Sequence, residues 1–187
     1  MANTTSFIRR DTIPTIETPR LLLRPHRRDD FDHSFSLWTD PQVFRYISGK
    51  PSTREEVWAR LLRYTGHWHW MRFGFWAIEE KSSGRFVGEV GYAEQMREMT
   101  PSLVGMPEMG WVLHSAFHGR GYGFEAVQAA QRWFHPNFPS SSTCCIIDSA
   151  NAVSIRLAEK VGFREWRRTT YHGDPIIVFA HGQPAQP

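Results

Sequence analysis

Cysteine is nearly missing from this chain: two in 187 residues, Cys144 and Cys145, side by side. Adjacent cysteines build neither a disulfide framework nor a metal knuckle, and the pattern suits a reducing compartment. Long apolar runs are missing too, since no stretch approaches the ~20 residues that a membrane-spanning helix needs. Residues 1–16 carry Arg9 and Arg10 but no apolar stretch of the secretory kind, so the expected location is cytoplasmic, with no membrane partner. An excess of one charge is also missing. The net charge is +3, and the 22 Lys and Arg are scattered. That argues against a nucleic-acid surface while leaving a mild attraction for an anionic ligand. No internal repeat or low-complexity segment stands out. Hydrophobic residues at 41% and charged residues at 22% place the chain among soluble globular proteins, long enough for a substantial core.

What is present centres on residues 108–134. Residues 109–113 alternate as a strand does, and a turn of small and polar residues follows: His118, Gly119, Arg120, Gly121, Tyr122, Gly123. Ala126, Val127, Ala130, Trp133 and Phe134 then recur at helical spacing. Three glycines in five residues allow positive φ and close approach of a ligand to the backbone. The N–H groups of the turn and of the first helical turn can face one anion, Arg120 adds charge, and no carboxylate lies within the turn. The arrangement reads as a pyrophosphate cradle.

Around it the chain reads as a flexible arm (1–16), one domain (17–181) and a frayed tail (182–187). Residues 20–24 form a strand. Asp29 or Asp30 caps a helix presenting Phe31, Phe35 and Trp38, and Asp40-Pro41 opens a short turn. Thr53 and Glu56 form a capping box for a helix that aligns Val57, Leu61, Tyr64 and Trp68. The aromatic residues in 67–76 are either core at a helix-to-strand corner or the wall of a substrate pocket. Two histidines there, at i and i+2, do not share a helix face, so no metal is expected. Residues 75–79 and 86–92 read as a hairpin, and 94–107 as a long loop. Residues 143–147 form a buried strand, Asn151 caps a helix closed by Gly162, and two strands, 163–168 and 175–179, end the domain. The sum is a mixed α/β sheet with helices on both faces.

Four segments in this order resemble the GCN5-related N-acetyltransferases (GNAT), in particular their RimJ/RimL-like branch: residues 17–24, Glu108-Met-Gly-Trp111, residues 118–126, and Asn151-Ala-Val-Ser154 with residues 159–163. The resemblance implies a central, mostly antiparallel, twisted sheet of about six to seven strands, splayed between its fourth and fifth. It implies acetyl-CoA as co-substrate, its pyrophosphate held by residues 118–123 and its pantetheine paired to strand backbone at Trp111, Val112 and Leu113. Asn151 and Ser154 join the cofactor contacts, and Ser154 is the candidate acid for the departing thiolate, because Ala158 stands where many relatives have a tyrosine. His118 departs from the Arg or Gln common in the broad family. For the acceptor's proton, Glu108 and His114 are the candidates. The acceptor is a primary amine, either a protein N-terminus or a small molecule. Glu94, Glu98 and Glu108 would suit a polyamine, and the aromatic stretch a partly apolar amine. The protein is expected to act as monomer or homodimer.

Two other readings compete. Residues 121–126 also fit G-x-G-x-x-A, with Asp148 where a ribose-binding acid belongs, as in a nicotinamide enzyme. Only 39 residues follow Asp148, too few for a doubly wound sheet. The other is a non-catalytic CoA-binding module of the same fold.

Overall fold

The computed structural model describes residues 13–139 and 142–182. Their elements run β1 (Ile16–Glu17), β2 (Leu21–Arg24), α1 (Phe31–Trp38), α2 (Pro41–Phe44), α3 (Arg54–Met71), β3 (Phe75–Glu80), β4 (Phe86–Ala93), β5 (Glu108–Leu113), α4 (Tyr122–Asn137), β6 (Thr143–Asp148), α5 (Ala152–Lys160), β7 (Arg164–Tyr171) and β8 (Asp174–His181). Eight strands form one sheet in the order β1-β2-β3-β4-β5-β6-β8-β7. All pairings are antiparallel except β5 with β6.

The strand beyond the expected six to seven is β1, whose two residues pair Ile16↔Leu23 and Glu17↔Leu22 and are too few to show a period. The expected arm therefore stops short of residue 16. Ile13 packs on the core, and Pro14 accepts the Trp76 indole N–H at 2.8 Å. Residues 1–12 and 183–187, where the rest of the arm and most of the tail were placed, lie outside the described residues.

Strand alternation divides the core by face. Trp76, Val90, Tyr92 and Met109 meet Ala126, Val127, Ala130 and Phe134 of α4, with Tyr92 and Phe134 stacked at 3.9 Å. Burying a side chain such as Phe134 contributes roughly 2–3 kcal/mol. The opposite face is covered by α1 and α3, through Leu37, Trp38 and Val57 and through Leu61 and Tyr64, which cluster with Phe75 of β3. Thr53 and Glu56 do form the box that starts α3, with bonds of 3.2 and 2.8 Å. Of the aromatic stretch, Trp68, Phe73, Phe75 and Trp76 are core, whereas Trp70 is 83% exposed and lines an apolar surface cleft with His67 and Met96.

One polar group sits inside that second layer. Glu89, in the middle of β4, is fully buried. It accepts from Ser34 (3.0 Å), Trp38 (3.1 Å) and Tyr64 (2.9 Å), which ties α1 and α3 to the sheet.

Candidate active site

The parallel pair opens almost at once. β5 and β6 share the register Glu108↔Cys144, next to a Cys144 N–H to Pro107 C=O bond of 3.1 Å. β6 pairs along its whole length with β8 instead. On its other side β5 stays zipped to β4, and His114 N–H to Val87 C=O (2.9 Å) fixes the parity. In an antiparallel pair, alternate residues exchange both bonds with the partner strand. Val112 and Gly110 therefore turn their amides to β4, while Met109, Trp111 and Leu113 turn theirs towards β6. Sequence reading placed Val112 on the open edge. Its backbone faces inward, and its side chain packs against Leu37, Trp38, Val43 and Val57. The Leu113 carbonyl is itself occupied by His118 Nε2, which donates to it at 2.8 Å and so straps the loop to the strand.

At the mouth of this splay lies the glycine turn. Gly119 and Gly121 have φ of +76° and +77°, and a Cβ on Gly119 would project into open space. Gly121 is the N-cap of α4 and supplies no side chain. The first intrahelical bond is Glu125 N–H to Gly121 C=O, so the N–H groups of Tyr122, Gly123 and Phe124 have no acceptor within the helix. An uncapped N-terminus with successive outward amides is an anion site in waiting.

Distant residues hold the turn in place. Arg20 donates to the Arg120 carbonyl (2.9 Å), and Tyr122 donates to Glu80 (2.5 Å). Glu125 accepts from Thr18 (2.6 Å) and from the Arg20 backbone (2.9 Å) and guanidinium (2.7 Å). None of these braces was visible in the sequence, because the partners stand 42 residues apart for Tyr122 and Glu80 and a hundred or more for the others.

Helix α5 reaches the same place. A Cβ on Gly123 would sit 3.3 Å from Leu157 Cδ2, so only glycine leaves room for this approach without adjustment. Ser154 is one turn before Leu157 and Ala158 and shares their face. Asn151 accepts the Ser154 N–H at 3.2 Å, as a helix cap does. The Ser154 hydroxyl is half-buried and makes no hydrogen bond among the described residues. Ala158 is fully buried in the core, so no phenol occupies that turn.

The two candidate bases fare differently. Glu108 is buried, and both its oxygens are held by Arg97, at 2.6 and 2.7 Å. That fork commits one lone pair of each oxygen to the Arg97 guanidinium, and Glu108 anchors the 94–107 loop. Glu94 is likewise engaged, accepting the Gly105 N–H at 2.9 Å, so the loop does not present three free carboxylates to a polyamine. His114 lies just past β5, its Nδ1 accepting from Ala116 (3.3 Å) and its Nε2 3.4 Å from Ser36 Oγ. Beside it, Asp40 accepts the Ser115 N–H at 3.0 Å. Burial raises the Asp40 pKa, but bonds from Ser115 and Gln42 and the neighbouring His114 outweigh this and hold it below its ordinary value. Cys144 and Cys145 are buried in β6, and burial pushes both thiols well up, so neither is a nucleophile at neutral pH. Among the described residues no cluster of His, Cys, Asp and Glu could hold a metal, and no helix could cross a membrane.

A family model described as an acetyltransferase (GNAT) domain matches residues 20–164, from the first long strand to the start of β7. The chain belongs to the GNAT acetyltransferases. YkkB of Bacillus subtilis is 30% identical over 166 residues, covering 87% of this chain and 92% of that protein. A solved GnaT-family acetyltransferase of Bordetella pertussis superposes with a TM-score of 0.81 at 28% identity, covering 91% of this chain and all of the other. RimL, a ribosomal L7/L12 α-N-protein acetyltransferase solved with coenzyme A, shares the fold at 15% identity and a TM-score of 0.72, over 90% and 97% of the two chains. The nicotinamide alternative falls with the GNAT topology: one parallel pair cannot make a doubly wound sheet. Asp148, offered for a ribose, instead caps a turn by accepting the Ala150 N–H at 2.7 Å.

Proposed function

We propose that this GNAT protein is an N-acetyltransferase that moves the acetyl group of acetyl-CoA to a primary amine by direct attack in a ternary complex. The observation that carries this reading is the splay between β5 and β6 opening onto the uncapped start of α4. The residues present fit the cofactor: positive-φ glycines leave the turn's amides approachable, and Arg120 adds a cation at the rim. When bound, acetyl-CoA supplies an acyl carbon activated as a thioester.

The chain's own residues have separable tasks. The amides of residues 119–124 bind the pyrophosphate, that of His118 being taken by the Ser115 carbonyl at 3.0 Å. The backbone of Trp111 and the Leu113 N–H pair with the pantetheine arm as a missing strand would, and one N–H in this row polarises the thioester carbonyl. Val112 contributes by fixing the strand rather than by contact, and His118 by fastening the turn to it. The acceptor nitrogen loses its proton to His114 Nδ1, which gives up its long bond from the Ala116 N–H (3.3 Å), directly or through water, as the nitrogen's bond to the acetyl carbon forms. The Ser154 hydroxyl, oriented through the Asn151 cap, gives a proton to the sulfur as its bond to carbon breaks. The acceptor is a protein N-terminus or a small amine.

Thermal unfolding with acetyl-CoA, CoA, NADH and NADPH in parallel tests the reading. A ligand at a hundred times its Kd stabilises by ~2.7 kcal/mol, readily visible as a Tm shift. Acetyl-CoA and CoA alone should shift the wild type, and Gly121→Glu, which puts bulk and negative charge in the turn, should abolish the shift. Normal acetyl-CoA affinity in that variant would refute the cradle. Ala158 favours one second reading, a CoA-binding module without catalysis, which acetylation of any amine eliminates.

A further inference from the structure

Helix α5 sets a second pair of cations beside the start of α4. Contact fixes its height there: Leu157 lies so close to Gly123 that a Cβ on the glycine would come within 3.3 Å of it. Arg156 precedes Leu157 and so stands about level with the second residue of α4. Lys160 follows on the same face of α5 as Arg156, about one helical turn later. Its ammonium sits 4.3 Å from the centre of the Phe124 ring. Phe124 is the third residue of α4, and its own N–H is among those without an acceptor within the helix. The two cations thus flank α4 at the level of its free amides.

Neither cation is committed elsewhere. Arg156 and Lys160 are exposed and form no salt bridge among the described residues. Glu125, the acidic residue in the first turn of α4, is turned to β2 and held there by Thr18 and Arg20. Glu159, next to Lys160 in sequence, projects about 100° away from it around α5. Arg120, the cation of the glycine turn itself, leans over the Phe117 ring at 5.3 Å and lies 3.9 Å from Glu80. That leaves the α5 flank to Arg156 and Lys160. Phe124 has a use in this arrangement. An aromatic face under an ammonium fixes the direction of a side chain that otherwise samples many rotamers, and so prepares it for an anion.

We propose that Arg156 and Lys160 bind the 3′-phosphate that the ribose of acetyl-CoA carries, and the proposal rests on the acetyl-transfer reading above. The turn's amides are matched to the pyrophosphate at the 5′ end of that ribose. The 3′-phosphate lies one sugar ring away and needs cations of its own. A phosphate monoester holds nearly two negative charges at neutral pH, which a guanidinium fork and an ammonium together offset. The pair is then a specificity determinant, because the 3′-phosphate is what separates CoA from its dephospho form.

The test is calorimetric titration with CoA and with 3′-dephospho-CoA at an ionic strength of about 0.15 M, where exposed charges more than ~8 Å away are largely screened. Wild type is compared with Arg156→Gln/Lys160→Gln. Both positions are exposed, and glutamine is close to arginine and lysine in helix propensity, so the fold is kept. CoA should bind the wild type about tenfold or more tightly than dephospho-CoA. The variant should bind both ligands with the wild type's affinity for dephospho-CoA. Equal affinities in the wild type overturn the site. A preference for CoA that survives in the variant, or a variant that loses affinity for both ligands alike, overturns the assignment of the 3′-phosphate to these two residues. The ligands differ only in that phosphate, so failure of the site leaves dephospho-CoA binding and the transfer reading intact. Binding of neither ligand strikes the transfer reading, and the site with it.

Discussion

Replacing Glu89 separates a buried charge from the donors it satisfies. The carboxylate accepts three side-chain bonds in a fully buried site: Ser34 on one oxygen, Trp38 and Tyr64 on the other. Burial, with the Glu89 charge beside it, pushes the Tyr64 pKa well up, so its hydroxyl stays a donor. Glu89→Ala leaves all three donors without an acceptor, at about 1–3 kcal/mol each. The two hydroxyls can rotate to other partners but the indole N–H cannot, so the total should be about 3–6 kcal/mol. That is a large part of the ~5–15 kcal/mol a domain has. Glu89→Gln behaves differently: its carbonyl can face Trp38 and Tyr64 while its amide donates to Ser34 Oγ. It also removes a buried charge, so it should lie within about 1 kcal/mol of wild type. Urea denaturation at neutral pH reads both. With a slope of ~2 kcal/mol/M the Ala midpoint falls by roughly 1.5–3 M, and the Gln midpoint barely moves. An Ala variant near wild type, or a Gln variant as damaged as Ala, refutes the reasoning; the second outcome would make the charge itself the stabilising element.

Other expectations follow from the same contacts. Ser154→Ala should slow turnover about 10²-fold with acetyl-CoA affinity kept, and an unchanged rate removes Ser154 from proton transfer. For Glu125, burial raises the pKa, but donors from Thr18 and Arg20 outweigh it and the folded value lies below the ordinary one. A depressed carboxyl pKa stabilises the fold above the unfolded value and ceases to do so as pH falls through the folded one. Glu125→Gln should therefore cost about 1 kcal/mol at pH 7, since Arg20 is half exposed, and nothing at pH 2–3; urea midpoints across pH 2–7 that stay parallel would contradict this. Gly66, exposed inside α3 with open space around its Cβ position, should accept alanine and gain roughly 0.5–1 kcal/mol, seen as a Tm rise of a few degrees.

Local chemistry was legible in the chain itself. The period of residues 109–113, the Thr53 and Glu56 box, the Asn151 cap and the glycine turn each depend on residues within a turn or two of one another. Short-range sterics and hydrogen bonds decide such features wherever the segment sits. In-order motifs then carried the fold class. Partnership across the sheet was a different matter. Whether Val112 or its neighbours face the open edge depends on the pairing of β5 with β4, where a shift of one residue exchanges every amide and side chain. Glu108 read as a free carboxylate until the loop returned Arg97 to it, and Glu125 read as a helix-start acid until β2 brought Arg20 across 105 residues of sequence. Composition and spacing by themselves determined what kind of protein this chain can be; tertiary contact decided which of its charges are free to act, because a charge is free only where no partner has been folded against it.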